Sequence, residues 1–384
     1  MTPLRLTRFD IWQVVVPVRA DVLFGEPTER SPYTHGMDWP TLPIHLVEGR
    51  TKDGLVAIGE CGRGETPEAV EATLHSLLNV DLAQTHPSMI WASEFQPGGM
   101  ASPYRVPSWR MGLPRSCPLM ESLWLDAVGK RAGLPADTFL GGTVRNRVAV
   151  DYWANRPDAR RLVQHVKRAD QLGLRGMKIK SDGLGDTVQA LVEASRHVST
   201  DFHFTVDPMC AWRSLRETGH LFDAIEKLPF RVQVEDPFAY GMPEDWRVAR
   251  ARYRVPIICH CRTEDVLRWA LREQAADALN LGGGSTFDFI QLAATARFHG
   301  KDCWQGSALE LGVLQRVRLH AAAAATNCVM PSDLQSEWVR EHTLVTPRMQ
   351  YEDGYACVPT EPGLGIALDH RALKKYLREH RVIG

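Results

Sequence analysis

Lys178, Lys180, Asp207, Glu235 and His260 are ionisable side chains that close four successive β-rich runs of the chain. In "LRGMKIKSDG", residues 174–183, one residue separates the two lysines, and strand residues two apart face the same side. Two ammonium groups on one face repel each other, and lysine is seldom buried unpaired, so anions are expected close by. Asp207 ends "FTVD" and Glu235 ends "VQVE", at corresponding points of adjacent runs. Two carboxylates brought together call for a divalent cation, and Mg²⁺ takes carboxylate oxygens while leaving positions for water or substrate. His260 ends the next run and offers a third ligand, whose softer nitrogen moves preference toward Mn²⁺, Fe²⁺ or Co²⁺. Its other reading is a hydrogen-bonding residue beside the metal. The stretch "CHC", residues 259–261, invites a zinc site. Strand alternation turns His260 away from both cysteines, so the three cannot share an ion.

A cation set among carboxylates and lysines suits removal of a proton from the carbon next to a carboxylate. The resulting enediolate carries extra negative charge, and such carbon acids are so weak that electrostatic stabilisation must supply much of the catalysis. One lysine serves as the base. A neighbouring cation favours the neutral amine that a base requires. This assigns the base to Lys180, with Lys178 as electrophile beside it.

The elements that must position these groups show in the spacing. The runs "VAVDYW", "GMKIK", "FHFTVD", "RVQVED", "PIICH", "ALNLG", "DCWQG" and "CVMPSD" alternate with helical stretches such as "DTVQALVEASRHV". Lys180, Asp207, Glu235, His260, Gly282 and Gly306 are spaced 27, 28, 25, 22 and 24 residues apart, and Asp333 follows 27 after Gly306. That interval is one strand-helix unit. Eight such units predict a parallel (β/α)₈ barrel, whose active-site face is formed by the C-terminal strand ends. Before it, residues 1–134 show strand patterns and then helical ones. Thr66 is a candidate N-cap for "TPEAVEATLHSLL".

Composition narrows the class. The 384 residues exceed one usual core and predict two domains. With 44% hydrophobic and 24% charged residues the chain reads as an ordinary globular protein. A net charge of −1 gives no footprint for nucleic acid or an anionic membrane. No apolar run reaches transmembrane length, and no signal-peptide layout is present. Eight cysteines without disulfide spacing read as reduced thiols, predicting a cytoplasmic protein.

Together these residues resemble the enolase superfamily, in its mandelate racemase and muconate-lactonizing branch. "LVEGRTKDGLVAIGECG" is similar to the family's N-terminal hairpin, "SLWLDAVGKRAGLPADTFLGG" to its linking helix and loop, and "PGLGIALDHRALKKY" to its closing segment. The resemblance implies an α+β capping domain with a lid loop over residues 1–134, a modified (β/α)₈ barrel over 135–335, and a return to the capping domain over 336–384. It implies Lys180 as base, Lys178 on the substrate carboxylate, and Asp207 and Glu235 on Mg²⁺. It also implies a small carboxylate substrate and a homo-oligomer. His260 stands where the family has a carboxylate or amide ligand, which leaves Mn²⁺ or another divalent ion open. Asp333 stands near the acid that hydrogen-bonds substrate from the eighth strand, and Trp304 is a candidate substrate contact. Gly282 and Gly306 stand where other members carry a second base. Glycine there either leaves room or permits a tighter backbone approach. In the loop of residues 22–43, Tyr33, His35 and Trp39 are candidate lid contacts.

The reaction expected is dehydration of a hydroxy-acid or sugar acid to a 2-keto acid, since one face can run it. The alternatives are a racemase, epimerase or cycloisomerase, and a non-catalytic binding protein that kept the barrel.

Overall fold

A computed structural model of the chain describes residues 3–22, 42–85, 87, 117–155, 157–181, 187–282 and 284–384. The lid candidates Tyr33, His35 and Trp39 lie outside them. The barrel strands are β1 (Tyr152–Ala154), β2 (Gly176–Lys180), β3 (His203–Asp207), β4 (Arg231–Glu235), β5 (Ile257–Cys261), β6 (Ala278–Gly282) and β7 (Cys303–Gly306). They form one parallel sheet in chain order, each followed by a helix. Lys180 pairs with Asp207 across β2 and β3, and Asn280 pairs with His260 across β5 and β6. The register therefore brings the chemical residues of successive strands to one level.

The run "VAVDYW" divides into two elements. Arg147–Ala149 joins a small antiparallel sheet with Tyr355–Cys357, and only Tyr152–Ala154 enters the barrel. The run "CVMPSD" forms no regular strand. It closes the circle through parallel bridges from Cys328 to Cys303 and from Ser332 to Val150. Ser332 N donates to Ala149 O at 2.7 Å, and Asp333 N donates to Gln305 O at 2.9 Å. Pro331 lacks the N–H a ladder needs, which accounts for the interruption.

The N-terminal sheet is antiparallel, in the order Leu377–Ile383, Leu6–Val14, Ile44–Thr51, Val56–Glu60. Its outer strand thus comes from the far end of the chain. Helix Pro67–Leu77 packs on it, with Thr66 capping the Ala69 N–H at 3.3 Å. Helix Pro118–Ala132 packs against strand Val56–Glu60, and Asp126 accepts from Ile58 N at 2.8 Å and from Leu364 N at 2.9 Å. Glu60 accepts the N–H groups of Leu311 and Leu314 at 2.6 and 2.9 Å, anchoring the sheet to the start of barrel helix Gly312–Ala324. All eight cysteines are free thiols. Among the described residues no helix is long and apolar enough to cross a membrane.

Candidate active site

Strand alternation points Lys178 and Lys180 inward from β2, Asp207 from β3, Glu235 from β4 and His260 from β5. Cys259 and Cys261 face the other way, with their sulfurs 3.6 Å apart. This is the geometry that excluded a shared zinc ion. Lys178 is only 3% exposed and sits at the centre of the cluster. Its Nζ lies 2.6 Å from Glu235 Oε2, 3.1 Å from Asp333 Oδ2 and 3.6 Å from Asp207 Oδ2. Lys180 pairs with Asp207. The anions that the lysine spacing required are therefore Asp207, Glu235 and Asp333.

The electrostatics follow from burial. Burial alone would lower the Lys178 pKa, but Asp333, Glu235 and Asp207 hold it above its ordinary value. Burial likewise opposes ionisation of Asp207, yet Lys180 and Lys178 outweigh it and keep its carboxyl below the usual range. Glu235 is pushed up to about 8 by burial, which the attraction of Lys178 does not offset and to which Asp207 adds. Burial also raises Asp333, against the pull of Lys178. His260 is driven well below 6.5 by burial and by the nearby cations of Arg262, Lys178 and Lys180, so its imidazole is neutral. Its Nδ1 lies 3.4 Å from Glu235 Oε1.

Two residues were not singled out by sequence reasoning. Asp236, directly after Glu235, offers a carboxylate oxygen within 4.8 Å of ligand atoms on Glu235 and His260. Both of its oxygens are occupied: Oδ1 accepts from His260 N at 2.8 Å and Oδ2 from Tyr240 Oη at 3.0 Å. Its φ of 46° is a conformation few non-glycine residues adopt, as are φ values of 51° and 62° at Met209 and Cys210 just past Asp207. Unusual backbone thus follows each of the two carboxylates, a pattern associated with functional sites. Asn280 is fully buried, and its Nδ2 donates to Glu235 Oε1 at 2.8 Å. Both residues carried a readable signal: an acid doubled in "VED", and an amide on the inward face of β6, two before Gly282.

Gly282 and Gly306 pair across β6 and β7. A Cβ at Gly282 would stand 2.5 Å from Gly306 N, and one at Gly306 would stand 2.3 Å from Asn280 Oδ1. Of the two readings for these glycines, close approach is the one observed. Among the described residues, positions 280–282 and 304–306 carry no side chain suited to exchange a proton. Trp304, 2% exposed, packs with Ile258, Ala278 and Met330, and Lys178 Nζ stands 5.7 Å from its ring centre. It forms part of the floor beneath the lysine.

Residues 161–372 match the family described as enolase C-terminal domain-like. The chain belongs to the enolase superfamily, in its mandelate racemase and muconate-lactonizing branch. Superfamily relatives span nearly the whole chain. A probable glucarate dehydratase from Streptomyces coelicolor is 27% identical over 385 residues, covering 88% of this chain and 86% of the relative. Muconate cycloisomerase 1 from Pseudomonas putida is 24% identical over 386 residues, covering 94% and 98%. The solved N-succinyl Arg/Lys racemase from Bacillus cereus superposes with a TM-score of 0.75 at 17% identity, over 99% of this chain and 100% of that one, which supports the shared fold.

Enzymes of the superfamily typically use a divalent metal ion, and the residues here fit one. Three buried carboxylates, Asp207, Glu235 and Asp333, surround Lys178, and a fourth, Asp236, brings an oxygen within 4.8 Å of ligand atoms on Glu235 and His260. His260 Nε2 is buried and has no hydrogen-bond partner among the described residues. A neutral imidazole beside carboxylates is a donor set for a divalent ion.

Proposed function

We propose that this protein abstracts the proton alpha to the carboxylate of a small hydroxy-acid or sugar acid bearing hydroxyls on both Cα and Cβ, with Lys180 as base, and expels the β-hydroxyl to give a 2-keto acid. The observation that carries the reading is the arrangement of Lys178 and Lys180 among Asp207, Glu235 and Asp333 at one barrel mouth. The carboxylates Asp207 and Glu235, with His260, are the residues that would hold Mg²⁺ or a softer divalent ion such as Mn²⁺. Asp236, both oxygens engaged, braces His260 and the β5 backbone. A cation held there supplies fixed positive charge against the substrate carboxylate.

The chain's own groups account for the remaining steps. The Lys178 ammonium, kept charged by its three acidic neighbours, faces the substrate carboxylate and opposes its growing negative charge. Lys180 Nζ takes the α-proton, and the resulting ammonium is stabilised by Asp207. The electron pair of the broken C–H bond passes into the enediolate. It returns to form the Cα–Cβ double bond as the Cβ–O bond breaks. The Lys180 ammonium delivers its proton to the departing hydroxyl, so water leaves and the enol tautomerises to the keto acid. Asp333, on the far side of Lys178, is placed to accept from a substrate hydroxyl, and Trp304 underlies the carboxylate end.

Elimination is favoured over racemisation because, among the described residues, positions 280–282 and 304–306 carry no proton-exchanging side chain and Gly282 and Gly306 leave no space for one. Likeness to a probable glucarate dehydratase supports the same choice. The likeness to muconate cycloisomerase 1 over 94% of the chain favours a cycloisomerase as second reading, because intramolecular ring formation or opening also needs one proton-transfer group. The test is to incubate Mg²⁺- or Mn²⁺-loaded protein with a library of hydroxy-acids and acid sugars and to assay 2-keto acids. Formation from at least one acid, abolished in Lys180→Ala, is expected. Turnover of lactones or unsaturated diacids without any keto acid replaces the dehydratase with the cycloisomerase.

A further inference from the structure

A cavity of about 660 Å³ opens on the face of the barrel opposite the catalytic residues. It lies where strands begin: Arg231 is the first residue of β4, and Pro256 directly precedes β5. The catalytic Glu235 is the last residue of β4, about 13 Å along the strand at 3.3 Å per residue. The two sites therefore do not overlap.

Three features define its chemistry. The walls are apolar, with Phe204, Leu228, Phe230, Val255 and Met330 around the opening. The depth is unusual for a barrel interior, which side chains normally fill. Gln233, the middle residue of β4, lines the cavity and remains partly exposed, and its Nε2 donates to Thr205 Oγ1 at 2.8 Å. The charge is positive on balance. His203 is paired with Asp151 at 2.8 Å, and Glu226 lies 3.9 Å from Arg254. Arg231 has no ion-pair partner among the described residues. Two guanidiniums against the single carboxylate of Glu226 leave a net charge of +1.

We propose that this cavity is a second ligand site, distinct from the catalytic one, for a small amphipathic monoanion: an aromatic or branched aliphatic carboxylate. The volume matches small-molecule sites, which are mostly apolar with a few fixed polar groups. The apolar body occupies the space among Phe204, Phe230 and Met330, and the carboxylate meets Arg231 and Arg254, whose planar forks suit carboxylate oxygens.

The probe is 2-naphthoate, followed by its fluorescence in titrations of the Mg²⁺-loaded full chain. Saturable binding is expected below about 1 mM. The neutral 2-naphthalenemethanol should bind at least tenfold more weakly. The exposed pair Arg231→Glu/Arg254→Glu should weaken 2-naphthoate at least tenfold, and the milder Arg231→Gln by a few-fold. Lys180→Ala should leave its affinity within twofold. No saturable binding, equal affinity for the alcohol, or indifference to both arginine variants would overturn the proposal. Loss in Lys180→Ala would do so too, because the probe would then be reporting the catalytic site.

Discussion

Alanine at Gly306 and at Gly282 tests whether the far wall of the site is closed to side chains. A methyl at Gly306 would lie 2.3 Å from Asn280 Oδ1, so the amide must retreat by about 1 Å to regain ordinary contact. That movement breaks the 2.8 Å bond from Asn280 Nδ2 to Glu235. Overpacking costs about 1–3 kcal/mol, and a lost hydrogen bond to Glu235, which is protonated near neutral pH without a metal, costs about 0.5–1.5 kcal/mol. Gly306→Ala should therefore destabilise by about 3 kcal/mol. At Gly282 the methyl meets Gly306 N, Cα and O at 2.5, 2.6 and 2.7 Å, all of them backbone atoms. No side chain can swing aside, so the pairing of β6 with β7 must open. Gly282→Ala should exceed about 4 kcal/mol, at the severe end for single substitutions. Urea denaturation of the metal-free variants measures both. Alanine variants within about 0.5 kcal/mol of the parent, like ordinary surface changes, would show that a base could stand on that wall and would refute the one-sided reading.

Lys180→Ala should lower kcat by on the order of 10²–10⁴ with little change in substrate binding, whereas Lys178→Ala should impair KM and kcat together; steady-state kinetics with a binding titration separates them. Glu235, pushed up to about 8, must lose its proton to hold a cation. Cation affinity should therefore rise with pH through about 8 with net proton release, read by calorimetry in buffers of different ionisation enthalpy, and Glu235→Gln should remove the pH dependence. The same raised pKa means that Glu235 stabilises the metal-free fold at low pH and that this contribution is lost as pH climbs from about 4.5 through 8. His260→Asp exchanges a softer nitrogen for a hard oxygen, so Mg²⁺ affinity should rise relative to Mn²⁺ in parallel titrations.

The strand-end residues were legible because barrel periodicity repeats every 22 to 28 residues and the ends carry charge. Lys178, Lys180, Asp207, Glu235, His260 and Asp333 could all be read on that basis. Asp236 escaped because it lies one step past the strand. Alternation places such a residue outside the mouth, and only its φ of 46° turns it back toward His260. Asn280 escaped because its role depends on a neighbouring strand: its partner is Glu235, 45 residues away. The glycines were noticed, but room and close approach have the same sequence signature. Only the distance across β6 and β7 separates them. The interrupted eighth strand follows from Pro331, a local rule that the overall rhythm obscured.

Solvent deuterium provides the most direct test of the central claim, that Lys180 works alone from one face. A substrate acid lacking a β-leaving group is incubated with metal-loaded protein in D₂O, and the α-position is followed for isotope and configuration. Exchange of the α-proton with configuration retained is expected, and no exchange in Lys180→Ala. Inversion at a rate comparable to exchange would reveal a second proton donor and return the racemase reading. Exchange that persists in Lys180→Ala would show that the base is another residue.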